Sequence, residues 1–268
     1  MLLFYLRQNI LLRVRHLRTL PKNLQCLLSQ LESPSIPYGN IGKGGLGSIH
    51  IEPFKKEMTT KITLPAFIKS IIKNYVNKEI SVIAIGPLTN IAKALDNNRS
   101  FANSIGEICI TGGAYGFGSN VLGNVTQYAE FNFHCDPEAA KIVLEQKIDV
   151  NIKLVGLDVT QNPKCAFDAI LLKKFCFKKN VTAGFIMSLL EFPLSKYKFF
   201  NLHDVFAMIM FEKPSLFNFK RGNVEITLKG KMRGHSSFKE NNTSGNVLVA
   251  TNVNANAFNK LLHSHLLK

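Results

Sequence analysis

The 268-residue chain contains no Trp and only six Asp, at Asp96, Asp136, Asp149, Asp158, Asp168 and Asp204, and its first 31 residues hold no acid at all. So few carboxylates restrict what a hard-metal or acid–base site can be built from, and their placement becomes the main question about function. The five cysteines, Cys26, Cys109, Cys135, Cys165 and Cys176, are odd in number and form no C-x-x-C pair. Neither a disulfide framework nor a zinc site is indicated, and a reducing, cytoplasmic location is expected. No apolar run reaches the ~20 residues that span a bilayer, so no membrane partner is expected. The opening Met1 to Leu6 is apolar, but Arg7, Arg13, Arg15 and Arg18 break the pattern of a signal peptide. An arginine-rich, acid-free start is shared with mitochondrial transit peptides, although this one is poor in serine.

What is present suits one large domain with a sizeable core: 46% of the residues are hydrophobic and 19% charged. That composition excludes disordered and fibrous classes. The 33 Lys+Arg against 18 Asp+Glu give a net charge of +15. The basic residues are scattered in pairs such as Lys55-Lys56, Lys173-Lys174 and Lys178-Lys179, with no RNP-like motif, finger spacing or arginine-rich tract. A lysine-rich solvated surface is therefore expected, with no nucleic-acid partner.

Three short apolar runs read as strands buried on both faces: Ser81 to Ile85, Ile105 to Thr111 and Ile152 to Leu157. Helical spacing is expected around Gln25 to Leu31, over Pro65 to Val76, from Thr89 or Asn90 as cap through Leu95, and over Val205 to Phe211. Asp136-Pro137 opens a further helix to about Gln146, with Asp as N-cap and Pro in the first helical position. Strand, loop, helix, strand predicts an α/β fold with an open, mainly parallel sheet flanked by helices. Late in the chain, Asn223 to Leu228 and Asn246 to Thr251 alternate like half-exposed strands and are expected to pair antiparallel near an edge.

In such sheets ligands bind beyond the carboxyl ends of the strands. Gly86 to Asn90, Gly112-Gly113-Ala114 and Asp158-Val159-Thr160 should therefore share one rim. Two glycine-rich stretches fail the tests for a phosphate cradle. Gly112 to Gly118 lacks the dinucleotide spacing, and Gly42 to Gly47 lacks the Lys-Ser/Thr of a P-loop, so both read as turns. More informative is Asn124 to Asn132, with two amides and a carboxylate just after a rim loop. Glu130 and Asn132, two apart, would point to one side of an extended segment. A hydroxyl-rich ligand such as a sugar needs that mixture of acceptor carboxylate and bifunctional amides; a polar surface strand would look the same. His203-Asp204 precedes the helical run at 205–211, with Asp204 expected as N-cap and His203 able to titrate near neutrality.

Taken in order, Val82-Ile83-Ala84-Ile85-Gly86-Pro87-Leu88-Thr89-Asn90-Ile91-Ala92, Gly112-Gly113-Ala114, Gly123-Asn124-Val125-Thr126, Ala129-Glu130-Phe131-Asn132, Asp136-Pro137-Glu138-Ala139-Ala140, Val155-Gly156-Leu157-Asp158-Val159-Thr160, His203-Asp204 and Pro214-Ser215-Leu216-Phe217 resemble the inosine/uridine-preferring nucleoside hydrolases. The resemblance implies a single domain over residues 13–268 behind a divergent basic N-terminus, residues 1–12. It also implies cleavage of the N-glycosidic bond of ribonucleosides with a bound calcium ion, and a possible homo-oligomer. By the same resemblance Asn124, Glu130 and Asn132 hold the ribose hydroxyls, and His203 protonates the leaving base. Asp204 and the backbone carbonyl of Ile110 are calcium ligands.

The departures are equally specific. The family's first strand ends in Asp-x-Asp-Pro-Gly-x-Asp-Asp, which supplies most calcium carboxylates and the base that activates water. Here the first Asp is Asp96, so that strand is expected to be missing or replaced, with Met1 to Leu12 apolar enough to substitute in part. The family's His-Gly-x-x-Gly-Leu-Gly loop appears as Ile41 to Gly47, with Ile in place of His. Two readings stay open: an enzyme of this family, impaired or represented by an incomplete chain, and a non-catalytic nucleoside-binding or structural paralogue.

Overall fold

The computed structural model describes residues 3–6, 10–14, 69, 72–73, 78–96, 98–117, 123–145, 149–168 and 181–266. The expected helix at 25–31 and the glycine-rich loop at 38–47 lie outside them. Of the helix expected over 65–76 only residues 69, 72 and 73 are described, and all three are helical.

An eight-stranded sheet organises the rest. Its strands are β1 (Leu3–Leu6), β2 (Ile10–Val14), β3 (Ile80–Ala84), β4 (Ile105–Thr111), β5 (Asn151–Val155), β8 (Phe217–Ile226), β9 (Ser236–Glu240) and β10 (Val247–Val253), while β6 (Phe167–Asp168) and β7 (Phe199–Phe200) form a separate antiparallel pair. The order is β1-β2-β3-β4-β5-β10-β8-β9. Strands β3, β4, β5 and β10 run parallel to one another, and antiparallel hairpins flank them on both sides. Only β2 and β8 run against the other strands of the sheet. The α/β architecture is the one read from the strand–loop–helix order.

Period-two alternation puts Val82, Ala84, Ile108, Ile110 and Leu154 on one face of the sheet and Ile83, Cys109 and Val155 on the other. The first face is covered by α1 (Thr89–Leu95), α2 (Arg99–Ser104) and α4 (Pro137–Glu145), and the second by α6 (Val181–Lys196), α7 (His203–Glu212) and α8 (Ala255–Leu266). Both faces are covered, which explains why Val82 to Ala84 of β3 and Ile108 to Ile110 of β4 are apolar throughout. Beneath α7, Glu107 is buried in β4 and accepts from Ser81 Oγ at 3.2 Å and Lys153 Nζ at 2.8 Å, so the charge is paired within the sheet.

Local details differ from the sequence reading for identifiable reasons. The position beside β3 is filled by β2, antiparallel, with Ile10 opposite Ala84 and Val14 opposite Ile80. The backbone groups of β3 on that side therefore have a partner, and β2 brings no carboxylate to it. Leu88, rather than Thr89 or Asn90, is the N-cap of α1, because the Thr89 hydroxyl donates to the Asp136 carboxylate instead. Asp136 is the expected cap of α4: its Oδ1 accepts from Ala139 N at 3.0 Å. The strand expected over 152–157 ends at Val155, and Leu157 already starts α5 (Leu157–Thr160). Strands β8 and β10 do pair antiparallel, but through residues 217–222 of β8; Asn223 to Ile226 face β9. β9, Ser-Ser-Phe-Lys-Glu, is a polar edge strand with too little apolar alternation to be seen in the sequence.

Candidate ribose-binding rim

The carboxyl ends of β4 and β5 are knitted together by their own backbones. Gly112 N donates to Val155 O at 3.1 Å, and Leu157 N donates to Gly113 O at 2.9 Å. Gly113 has φ +84°, a conformation that favours glycine, and a Cβ there would run into Tyr115 and the Ser236 hydroxyl. Asp158, in the first turn of α5, accepts from Tyr115 N at 2.7 Å through Oδ2 and from Phe117 N at 2.8 Å through Oδ1. Ser236 Oγ, from the start of β9, accepts from Ala114 N at 3.0 Å and donates to Ala114 O at 3.2 Å. The loop after β4 is thus held from two sides before any ligand arrives.

Glu130 is tied to that loop. It caps α3 (Phe131–Cys135), Oε1 accepting from Asn132 N at 2.8 Å and Oε2 from Phe133 N and Gly113 N, each at 3.1 Å. Asn132 is therefore helical, not extended, and its side chain turns inward, with Nδ2 donating to Thr111 O at 2.9 Å. The sequence reading assumed a strand here because a helix of one turn leaves no periodicity. Asn124 is exposed, and its Oδ1 accepts from Phe131 N at 2.9 Å. A turn closed by Thr126 Oγ1, which accepts from Ala129 N at 3.0 Å, brings the two ends of this segment together.

His203 and Asp204 open α7. Leu202 is the N-cap and Asp204 lies in the first turn, so the expected cap role of Asp204 is not the one it plays. His203 Nδ1 lies 2.7 Å from Thr160 Oγ1 at the end of α5. Burial pulls the His203 imidazole below its ordinary value, so it is neutral at pH 7 rather than poised there. Asp204 keeps an open side to solvent, yet the protein crowded around it pushes its carboxyl up to about 6. Burial pushes Glu130 up to about 7; its three N–H partners offset part of that shift, and the Asp204 charge adds to it. The last contribution means that the two carboxylates lie near enough for their charges to interact.

The Glu130 shift fixes a pH dependence of stability. Its folded value, about 7, lies above the ordinary 4.5, so the neutral form favours the fold. That stabilisation is complete below the unfolded value and is lost as pH rises through the folded one. With a chelator present, the urea midpoint is expected to fall as pH rises from about 5 to about 7.5, and Glu130→Gln to flatten that part of the curve. An unchanged slope in the variant would contradict the assignment.

Calcium takes six to eight oxygen ligands, and its affinity follows the charge they carry. Among the described residues no three His, Cys, Asp or Glu side chains stand together as a metal group. Glu130 is committed to three N–H donors, Thr111 O already accepts from Asn132, and Ile110, in register with Ala84 and Leu154, could add only a neutral carbonyl. Asp204 is left as one carboxylate, so the described residues do not fit a calcium cradle. Sequence reasoning reached Asn124, Glu130, Asn132, His203 and Asp204 but assigned no role to Thr160 or Asp158, which it placed only by topology. Ser236 carried no signal.

The family model described as inosine-uridine preferring nucleoside hydrolase matches residues 27–260. Uridine nucleosidase 1 of Arabidopsis thaliana is 31% identical over 201 residues, covering 73% of this chain and 57% of that protein. Probable uridine nucleosidase 2 of the same plant is 32% identical over 243 residues, covering 85% and 72%. The solved purine-preferring ribonucleoside hydrolase from Gardnerella vaginalis superposes with a TM-score of 0.76 at 24% identity, over 89% of this chain and 76% of that one, and supports the fold. The chain spans about half the length of the first curated relatives, between 47% and 57%. With the ordered motifs, the sheet and the rim agreeing, the chain belongs to the inosine-uridine preferring nucleoside hydrolase family.

Proposed function

We propose that this chain recognises ribonucleosides of the inosine or uridine type at the rim and hydrolyses their N-glycosidic bond poorly. The reading is supported by Asn124, Glu130 and Asn132 being tied into one turn, Asn124 Oδ1 accepting from Phe131 N and Glu130 from Asn132 N, with the Asp204 charge near enough to act on Glu130. A carboxylate has about four acceptor sites, of which Glu130 spends three on N–H groups, leaving room for a ribose hydroxyl. Asn124 keeps its Nδ2 as a donor on the exposed side, and Asn132 braces the floor through Thr111. His203 is the group that would face the leaving base.

Hydrolysis needs a water activated on one side of an oxocarbenium-like centre and a proton for the leaving base on the other. The matched positions supply no carboxylate to take the proton from water, and a neutral His203 is a weak acid. Impaired turnover follows from those two shortages. The calcium of the family would supply a polarised water where a cradle exists. The non-catalytic nucleoside-binding paralogue is the second reading, favoured by the lone Asp204. A single domain over 13–268, a cytoplasmic location and a homo-oligomer belong to the same proposal, and neither nucleic acid nor membrane is a partner in it. No described helix is long and apolar enough to cross a membrane.

Calorimetric titration with uridine and inosine tests recognition. Binding is expected, weakened about tenfold by Asn124→Ala, the worth of one hydrogen bond. Absence of binding at millimolar nucleoside would overturn the reading.

A further inference from the structure

We infer that Thr160 holds His203 as the Nε2–H tautomer, so that the ring offers a donor, not an acceptor, to the base of a bound nucleoside. Thr160 ends α5 with 1% of its surface exposed, and its Oγ1 is 2.7 Å from His203 Nδ1. A hydroxyl brings one proton and two lone pairs; a neutral imidazole brings one N–H and one bare nitrogen. If Nδ1 carried the proton, Thr160 would accept it, and the hydroxyl's own proton would need a second acceptor. Among the described residues its side chain makes no hydrogen bond other than the one to His203. If Nδ1 is bare, the hydroxyl donates to it and no polar hydrogen is stranded on the buried side. Stranding a buried donor is costly enough to favour the second arrangement tenfold or more.

The consequence lies across the ring. His203 is half-buried, and Nε2, across the ring from the Thr160 contact, then bears the hydrogen. A nucleobase is recognised there through a lone-pair acceptor: a ring nitrogen of a purine or a carbonyl oxygen of a pyrimidine. A base presenting an N–H at the same point would meet donor with donor. Thr160 is thus a positioning residue, acting through His203. The part of the inference that concerns the base rests on the proposed nucleoside reading; the tautomer does not.

The test is a two-bond proton–nitrogen correlation spectrum of the 268-residue protein with nitrogen-labelled histidine at about pH 8, where the imidazole is neutral. His203 is assigned by the peak lost in His203→Gln. The expected pattern has Nδ1 at the downfield position of an unprotonated nitrogen and Nε2 at the protonated one. Thr160→Val should erase this preference, shifting both nitrogens toward averaged values, and Thr160→Ser should restore it. Should the Val variant not fold, the wild-type and Ser spectra still decide the assignment. A protonated Nδ1 in the wild type, or an unchanged pattern in a folded Val variant, would overturn the inference. If uridine and inosine leave the His203 peaks unmoved, the nucleoside reading fails while the tautomer assignment stands.

Discussion

Glu130→Ala should cost about 4 kcal/mol of stability and abolish measurable nucleoside binding. Three backbone N–H groups, of Gly113, Asn132 and Phe133, give their hydrogens to this one side chain. Glu130 is 5% exposed, so water does not replace the lost acceptor without a structural change. Each stranded buried donor costs about 1–3 kcal/mol, and the truncation also leaves a cavity. Part of the loss is returned because a carboxylate no longer has to be buried, which keeps the expected figure below the simple sum. Glu130→Gln should fall between the wild type and the Ala variant. Its carbonyl oxygen can serve one side of the cap, while its amide hydrogens confront the donors on the other. Urea denaturation at about pH 7 reads the stability, and a loss under about 1 kcal/mol in the Ala variant would show that the cap does not hold the rim.

Phe206→Ala should destabilise by about 3–5 kcal/mol and displace His203 and Asp204 together. Phe206 is 1% exposed and stacks on the fully buried Phe258 of α8, with ring centroids 4.3 Å apart and planes 26° from parallel. Stacked aromatic pairs add stabilisation beyond their buried area. Phe206 lies two residues beyond Asp204 on the first turns of α7, so it fixes how that helix end meets the rim. A loss of this size is a large fraction of the roughly 5–15 kcal/mol that holds a domain together. Phe206→Leu keeps most of the volume and should cost well under half as much. Tyr197→Ala, at a residue 46% exposed, is the control and should change stability by less than about 0.5 kcal/mol. Equal losses in the core and control variants would contradict the packing described here.

Strands β3, β4 and β5 are legible in the sequence because strands covered on both faces are mainly apolar, with Ser81, Glu107 and Lys153 among the exceptions, and each run is closed by glycine, at Gly86-Pro87, Gly112-Gly113 and Gly156. The cap of α4 was legible because Asp136-Pro137 is a local signal that needs no tertiary partner. The misread caps share the opposite cause. Thr89 and Asp204 sit where a cap belongs by sequence, but Thr89 is drawn away by Asp136, 47 residues on, and Asp204 lies two positions past the cap, Leu202. At the site, the residue types at 124, 130, 132, 203 and 204 could be named from motifs, whereas their geometry could not. The single turn at 131–135 exists because Glu130 caps it and Gly113 holds Glu130, a contact over 17 residues. Thr160 and Ser236 act through partners 43 and 122 residues distant, and no local pattern encodes such pairs.

Recognition of nucleosides without competent hydrolysis is tested most directly by free base released from uridine and inosine by the 268-residue protein, in saturating calcium and again after chelation. A missing general base alone is worth about 10²–10⁴ in rate, against a typical enzyme turnover of about 10 s⁻¹. Release slower than about 0.01 s⁻¹ and insensitive to chelation is the expected result. Calcium-dependent turnover near about 10 s⁻¹ would contradict it.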